Sequence, residues 1–203
     1  MQPQLNFDKP SQKVLLDKYV SELLKWNKTH NLIGKTTEET VLNRHIEDSL
    51  QIKNFLKKED KIIYDFGSGA GLPAIPLAVA FLSEDLEKKF HLFESNTKKA
   101  SFLQNIIAKL KLENALVRNE RIEVSKGEIK PDIITARAFS SLVEIFDIAK
   151  PLMQPETKFI LHKGLSAVNE VAEAKKKYNF EYKLHQSKCG DGFILECCAL
   201  SAI

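Results

Sequence analysis

The feature that most constrains the fold is a loop with three alternating glycines between two apolar segments. Residues 61–66 form a short apolar run typical of a buried strand, and residues 73–82 form a second run with prolines only in its first turns. Between them lie Gly67, Gly69 and Gly71. Glycines let the backbone turn sharply and let a ligand approach it without obstruction from a Cβ atom. The loop therefore predicts a strand–turn–helix unit with a ligand crevice at the carboxyl end of the strand.

Short apolar runs alternate with helical stretches over the rest of the chain. Such alternation is typical of an α/β fold with a mostly parallel sheet and helices on both faces. The predicted strands cover residues 61–66, 90–94, 116–118, 132–136 and 159–162, and a hairpin-like closing pair at 180–184 and 193–198 makes seven. The predicted helices of this region cover residues 73–82, 97–112, 142–150 and 166–177.

Two helices precede the strand–helix unit. Residues 11–26 carry apolar side chains at helical spacing, with charged residues between them. Residues 36–50 form a second predicted helix, which Thr36 and Glu39 would begin as a capping box. One face of that helix carries Val41, Leu42, His45, Ile46, Ser49 and Leu50.

Length and composition suit one α/β unit with a helical extension. Over 203 residues, hydrophobic side chains make up 43% and charged side chains 28%, which allows a sizeable core and a polar surface. We expect the extension to cover residues 1–58 and to pack on a single compact unit over residues 59–203. The net charge of +3 neither requires nor excludes a nucleic-acid partner, so any RNA contact should be a local patch.

Several features favour a cytoplasmic protein without a membrane segment. Residues 1–4 lack the basic and apolar regions of a signal peptide, and the longest apolar run, residues 72–82, is too short to span a bilayer. Cys189, Cys197 and Cys198 are odd in number and have no metal-ligand spacing, and the five histidines form no metal constellation. We expect no metal and no disulfide framework, with the cysteines buried in a late strand.

The spacing of the glycines indicates the class of ligand. It is G-x-G-x-G, one residue shorter than the G-x-G-x-x-G of dinucleotide-binding proteins, and Pro73 lacks an N–H group that a phosphate would use. Glu94 ends the second strand, 27 residues after Gly67, where an acid can accept hydrogen bonds from both hydroxyls of a ribose. With Asp65 at the start of the loop, these features favour S-adenosylmethionine over a nicotinamide cofactor.

The segment after the fourth strand narrows the chemistry. Residues 135–139 read Thr-Ala-Arg-Ala-Phe and lack the Asn- or Asp-Pro-Pro-aromatic sequence used to methylate exocyclic amines. No cysteine lies there to attack a pyrimidine carbon, and Arg137 has the wrong charge for a base that activates a ribose hydroxyl. Guanine N7 fits this pattern because it carries a lone pair and no proton, so that alignment suffices without a general base.

Several segments between about Leu16 and the final strand carry a family pattern. They are Lys25-Trp26-Asn27-Lys28, Asn31-Leu32, Arg44-His45-Ile46-Glu47-Asp48-Ser49, residues 65–76, residues 110–114, Arg137-Ala138-Phe139-Ser140-Ser141-Leu142 and Lys163-Gly164. In these segments the chain resembles the bacterial 16S rRNA guanine-N7 methyltransferases, also called glucose-inhibited division protein B. The resemblance implies a Rossmann-like class I fold and transfer of a methyl group from S-adenosylmethionine to N7 of one specific guanine in 16S rRNA.

The resemblance also implies roles for individual residues. Cofactor contacts fall on the loop and on later segments: Gly67, Gly69, Gly71, Leu72, Glu94 at the ribose, Ile122 and Glu123 near the adenine, and Arg137. Four residues become candidate active-site supports: His45, Asp48, Arg137 and Lys163. The chain departs from the family pattern at Ala74, where glycine is frequent, and at Ile33, where threonine is usual.

The implied partner is 16S rRNA, in the small ribosomal subunit or an assembly intermediate, and we expect a monomer. Two alternatives stay open at this point. A small-molecule methyltransferase of the same fold is disfavoured by the lysine-rich N-terminal helices. A non-catalytic RNA-binding module that has kept only the fold is disfavoured because the glycine loop and Arg137 are intact.

Overall fold

The computed structural model describes residues 10–82, 87–125 and 129–203. The sequence argument about a signal peptide concerns residues 1–4, which lie outside the described residues, as does the start of the predicted extension. None of the helices in the described part of the chain is both long and apolar enough to cross a membrane.

A seven-stranded sheet forms the centre of the molecule. Its strands are β1 (Ile62–Phe66), β2 (Lys89–Phe93), β3 (Ala115–Arg118), β4 (Ile133–Arg137), β5 (Lys158–Lys163), β6 (Tyr178–Gln186) and β7 (Phe193–Ala202). The strand order is β3-β2-β1-β4-β5-β7-β6, and only β7 runs antiparallel to its neighbours. The predicted seven-stranded, mostly parallel sheet is therefore confirmed. The order reverses between β1 and β4, and such a switch point opens a crevice at the carboxyl ends of the strands.

Helices cover both faces of the sheet. They are α1 (Pro10–His30), α2 (Asp48–Leu50), α3 (Ala74–Phe81), α4 (Thr97–Leu110), α5 (Leu142–Ala149) and α6 (Ala167–Ala174). One hydrophobic cluster joins side chains of α1, α3 and α4 to one face, and a second joins α5 and α6 to the other. The predicted helix over residues 166–177 ends early, because Tyr178 already begins β6 and packs its ring 5.5 Å from that of Phe146.

Local side-chain caps fix where two helices begin. The side chain of Asn96 accepts hydrogen bonds from the backbone of Lys98 and Lys99 at the start of α4. At the start of α5, Ser141 and Glu144 form a capping box. Both caps follow strands β2 and β4 at the carboxyl edge, so they hold the loops that border the crevice.

The predicted second helix is wrong in its start and in its geometry. Residues Lys35–Thr37 form a 3-10 turn without a capping bond, and Leu42–Glu47 form a π-helix that continues into α2 and a 3-10 turn over Gln51–Phe55. The wider π-helix changes which residues share a face: Leu42 is 43% exposed, whereas Val41 and Ile46 of the predicted face are buried. π-helical turns are rare and frequently lie at functional sites.

A buried asparagine explains why the capping box does not form. Asn27 accepts a hydrogen bond from the backbone N–H of Ile33 at 2.8 Å and donates one to Glu38 at 2.5 Å. The chain between α1 and the π-helix is therefore drawn into a compact turn, in which Thr36 lies inside the 3-10 turn instead of preceding a helix.

The N-terminal helix packs directly on the glycine loop. The Tyr19 side chain is fully buried, and its hydroxyl donates a hydrogen bond to the carbonyl oxygen of Ala70 at 2.6 Å. The Trp26 ring lies 5.6 Å from that of Phe102 on α4, and Gln12 donates to the carbonyl of Ala80 on α3 at 2.9 Å. The boundary near residue 58 stays a prediction.

Candidate active site

The three loop glycines have different structural reasons to lack a side chain. A Cβ atom on Gly67, at φ +65°, would lie 2.2 Å from Cδ2 of Phe139. One on Gly71, at φ +88°, would lie 2.5 Å from Cγ1 of Ile75. Gly69, at φ +53°, is different, because the nearest atom to its Cβ position is a loop carbonyl oxygen 3.7 Å away. The crevice is therefore open at Gly69, while packing fills the space beside the other two.

A carboxyl group lies buried below the loop. Asp65 is fully buried, and its Oδ1 accepts a hydrogen bond from the Thr135 hydroxyl at 2.8 Å. Its Oδ2 has no hydrogen-bond partner among the described residues. Burial raises the pKa of Asp65 to about 7. A cationic donor would satisfy this oxygen and favour the ionised carboxylate, so the crevice suits a ligand that carries an ammonium group.

A second acid borders the crevice after β2. Glu94 is 8% exposed, and its two oxygens accept hydrogen bonds from the backbone N–H groups of Gly69 at 2.8 Å and Asn96 at 2.7 Å. The Asn119 side chain donates to the Glu94 carbonyl at 2.8 Å. A carboxylate held in this way keeps lone pairs for two ligand hydroxyls, since each oxygen can accept more than one hydrogen bond.

The remaining cofactor candidates follow the same sheet edge. Leu72 is buried at the end of the glycine loop. Ile122 is 4% exposed in a 3-10 turn after β3, and it joins the hydrophobic cluster that contains Phe93. Glu123 lies beside it and is exposed. Their assignment to the adenine of the cofactor stays a prediction.

A cavity of about 610 Å³ lies next to the crevice, beyond the ends of β4 and β5. Its walls come from the π-helix and α2, from the turns after β4 and β5, and from the loop that joins β6 to β7. Phe139 lines this cavity and also touches Gly67, so the cavity and the crevice meet at its ring. The volume is within the range of about 300–1,000 Å³ found for small-molecule sites.

Arg137 lines the cavity at the end of β4. Its Nη2 donates to the carbonyl of Arg44 at 2.7 Å and lies 3.0 Å from Nδ1 of His45. Burial and the nearby Arg137 charge lower the pKa of His45 to about 4, so the imidazole is neutral and accepts this hydrogen bond. Arg137 Nη1 lies 3.2 Å from Asp48 Oδ2, an ion-pair distance without hydrogen-bond geometry.

Asp48 connects four segments of the chain. Its Oδ1 accepts hydrogen bonds from the Ser187 hydroxyl at 2.9 Å and from Gln51 Nε2 at 2.5 Å. Its backbone carbonyl accepts from His162 Nε2 at 2.9 Å. With the Arg137 ion pair, these contacts hold α2, which directly follows the π-helix, against β4, β5 and the β6–β7 loop.

Lys163 supports the opposite wall. Its side chain is 6% exposed, and its ammonium group donates to the carbonyl of Ser140 at 2.9 Å and to Glu170 Oε2 at 2.6 Å. The turn after β4 is therefore tied to β5 and to α6. The four predicted active-site supports, His45, Asp48, Arg137 and Lys163, all line one cavity.

The prediction that the cysteines are buried in a late strand is confirmed only for Cys197, which is buried in β7. Cys198 lies in the same strand but is only half-buried, and Cys189 lies half-buried in the β6–β7 loop and lines the cavity. That loop is placed here because β7 inserts between β5 and β6. Burial raises the pKa of the Cys189 thiol to about 11, so it is not a thiolate nucleophile.

His162 and Ser187 are further cavity residues that the sequence did not indicate. The pairing of β4 with β5 brings His162 to Asp48, and the pairing of β7 with β5 brings the loop that contains Ser187 there. Neither residue lies in a recognisable motif. No group of three or more His, Cys, Asp or Glu residues in the described ranges could hold a metal ion.

The sheet order, the glycine loop after β1 and the acid after β2 place the chain in the Rossmann-like methyltransferase fold class. A family model described as rRNA small subunit methyltransferase G (GidB) matches residues 12–191. The chain therefore belongs to the rRNA small subunit methyltransferase G family.

Relatives and solved structures agree with this assignment. The chain is 39% identical to the ribosomal RNA small subunit methyltransferase G of Rickettsia prowazekii over 189 residues, which are 93% of this chain and 94% of the relative. It is 35% identical to the protein of that name from Cereibacter sphaeroides, over 93% of this chain and 91% of the relative. The structure of a SAM-dependent methyltransferase from Aquifex aeolicus has the same fold, with a TM-score of 0.58 and 14% identity over 89% of this chain and 97% of that one.

Proposed function

We propose that this protein transfers the methyl group of S-adenosylmethionine to N7 of one guanine in 16S rRNA. Membership of the rRNA small subunit methyltransferase G family supports the reaction class and the substrate. The observation that carries the proposal is the junction at Phe139, where an open glycine crevice meets a polar cavity. A methyl donor in the crevice and a base in the cavity would meet at that ring.

The residues along the crevice fit S-adenosylmethionine. The unpaired oxygen of buried Asp65 suits its ammonium group, and the fixed carboxylate of Glu94 suits its ribose hydroxyls. The proposed cofactor contacts are those expected from the sequence: Gly67, Gly69, Gly71, Leu72, Glu94, Ile122, Glu123 and Arg137. When bound, the cofactor supplies an electrophilic methyl group on a sulfonium.

The polar groups of the cavity suit a nucleophile that needs no base. Guanine N7 has a lone pair and no proton to lose. The Asp48 carboxylate is occupied by Gln51, Ser187 and Arg137, and the Glu170 carboxylate is paired with Lys163. These groups therefore serve to position the walls of the cavity, which makes His45, Asp48, Arg137 and Lys163 positioning residues for the incoming base.

The proposed partner is 16S rRNA, in the small subunit or in an assembly intermediate, where the target base can be extruded. Enzymes that modify bases must take them out of the stack, and the cavity has room for one such base. We propose that the protein acts as a monomer in the cytoplasm of a bacterial cell.

A methyl-transfer assay with labelled S-adenosylmethionine tests the proposal. Bare 16S RNA, purified small subunits and assembly intermediates are incubated with the enzyme, and the label is mapped by chemical cleavage at 7-methylguanosine. We expect label at a single guanine in at least one of these substrates. Absence of RNA labelling by enzyme that binds the cofactor would refute the proposal, and label at a ribose or an exocyclic amine would refute the N7 assignment.

Arg137→Lys tests whether the arginine that lines the cavity supports methyl transfer. A lysine keeps the charge but loses the fork that reaches Arg44, His45 and Asp48 together. We expect the rate of methyl transfer to fall at least about tenfold, which corresponds to about 1.4 kcal/mol of transition-state stabilisation. Calorimetric titration with the cofactor shows whether the loss comes from binding or from the transfer step.

A further inference from the structure

Two charged side chains of the cavity have no partner within the protein. Three basic and three acidic residues line the cavity, and four of these form ion pairs, Arg137 with Asp48 and Lys163 with Glu170. The other two are Arg44 and Asp191, and both are exposed to solvent. Within the described ranges, neither side chain forms a hydrogen bond or an ion pair. The cavity therefore offers a ligand one accessible cation and one accessible carboxylate.

Both groups belong to the same part of the cavity wall. A Cβ atom on Gly190 would lie 2.6 Å from Arg44 Nη1, so the glycine leaves room for the guanidinium group beside the β6–β7 loop. Asp191 is the next residue of that loop. The backbone of Arg44 is held in place, because its carbonyl oxygen accepts a hydrogen bond from Arg137 Nη2 at 2.7 Å. The packing of the π-helix against the loop thus brings the cation near the residue that carries the carboxylate.

A guanosine nucleotide carries a complementary group for each of them. Its phosphate is an anion of the kind that the guanidinium fork of arginine binds. On the Watson–Crick edge of guanine, N1–H and the 2-amino group are adjacent donors, and a carboxylate can accept from both. Adenine instead has the lone pair of N1 at this edge and no 2-amino group, so the same carboxylate would disfavour it.

We propose that Arg44 binds a phosphate of the target nucleotide and that Asp191 accepts hydrogen bonds from N1–H and the 2-amino group of its guanine. This assignment rests on the proposed function and names the residues that recognise its substrate. N7 lies on the other edge of the purine and stays free to react. As the methyl group leaves the sulfonium and bonds to the N7 lone pair, the positive charge passes from sulfur to the base. N1–H then becomes a stronger donor, so the Asp191 contact strengthens in the transition state.

The contact to the base is tested with small-subunit RNA in which only the target guanosine is replaced by inosine. Inosine keeps N1–H, O6 and N7 and lacks only the 2-amino group. We expect the guanosine-to-inosine ratio of kcat/KM to be at least about tenfold lower for Asp191→Ala than for the wild type, since one hydrogen bond to a charged group has about this value. Any effect of inosine on the RNA itself is the same for both enzymes and cancels from the comparison.

The contact to the phosphate is tested with RNA in which a neutral methylphosphonate replaces each of the two phosphates that flank the target guanosine, one at a time. We expect one of these replacements to lower kcat/KM of the wild type at least about tenfold and that of Arg44→Ala by no more than a few-fold. Glu156→Ala is the matched control, because Glu156 is an exposed carboxylate in the turn before β5, at the opposite end of that strand from the cavity. It should respond to inosine and to the methylphosphonates as the wild type does.

Each measurement compares two substrates of one enzyme, so partial loss of folded protein does not change it, and titration with the cofactor shows that each variant binds the methyl donor. A guanosine-to-inosine ratio that is the same for Asp191→Ala and the wild type would overturn the contact to the base. Equal responses of Arg44→Ala and the wild type to both methylphosphonates would overturn the contact to the phosphate. Both of these results would leave the proposed function intact, whereas a wild-type enzyme that binds the donor but labels no guanine would overturn the proposed function and this assignment with it.

Discussion

The replacement of Gly71 by alanine should destabilise the protein much more than the same replacement at Gly69. Both residues have positive φ, and a left-handed backbone costs a residue with a Cβ atom about 1–2 kcal/mol. At Gly71 the new methyl group would also lie 2.5 Å from Ile75 and 3.0 Å from Leu103, which are both fully buried. Overpacking of this kind costs about 1–3 kcal/mol.

We therefore expect Gly71→Ala to lower the free energy of unfolding by about 2–5 kcal/mol, against about 1–2 kcal/mol for Gly69→Ala. Urea unfolding followed by circular dichroism measures both values, provided that the m-values agree. Titration with S-adenosylmethionine should rank the variants in the opposite order, because the Gly69 methyl group would enter the open crevice. Equal destabilisation by the two changes would refute the packing argument.

Three further predictions concern buried polar groups. Tyr19→Phe should lower the free energy of unfolding by about 1–3 kcal/mol in chemical denaturation, because the Ala70 carbonyl loses its buried donor. In the ligand-free protein, the raised pKa of Asp65 means that the native state keeps a proton that the unfolded state releases between pH 4 and pH 7. The free energy of unfolding should therefore fall as the pH rises from 4 to 7, by at most about 1.4 kcal/mol per pH unit, and then level off. Asp65→Asn should remove this slope in pH-dependent urea unfolding, and an unchanged slope would assign it to another group. Glu94→Gln should weaken S-adenosylmethionine binding about 10–100-fold in calorimetry, because the carboxylate contacts become neutral ones, whereas unaltered affinity would exclude Glu94 from the ribose site.

Local patterns were enough to predict the sheet and the glycine loop that borders the crevice. Strand β1, predicted over residues 61–66, runs from Ile62 to Phe66, and α4, predicted over residues 97–112, ends two residues early at Leu110. These elements are specified by short-range alternation and by glycines whose backbone conformations few other residues adopt. The position of Glu94 next to the loop then follows from the pairing of β1 with β2.

The cavity side could be predicted only in part. The family pattern indicated His45 and Asp48 but not the π-helix that carries His45 and ends just before Asp48, because helical periodicity in a sequence does not distinguish a locally widened turn. His162 and Cys189 were missed because long-range strand pairing brings them to the cavity, that of β4 with β5 for His162 and that of β5 with β7 for Cys189. Tyr19 lies among the apolar positions of the predicted helix over residues 11–26, and its hydroxyl contact to Ala70 has no sequence signal.

The hydrogen bond between Asp48 and Ser187 joins positions 139 residues apart. The glycine crevice is bordered by elements up to β4, whereas the cavity takes one wall from the β6–β7 loop, which is positioned by β7 beside β5. The two halves of the site therefore depend on opposite ends of the chain, and a change in the final hairpin should disturb the cavity more than the glycine loop.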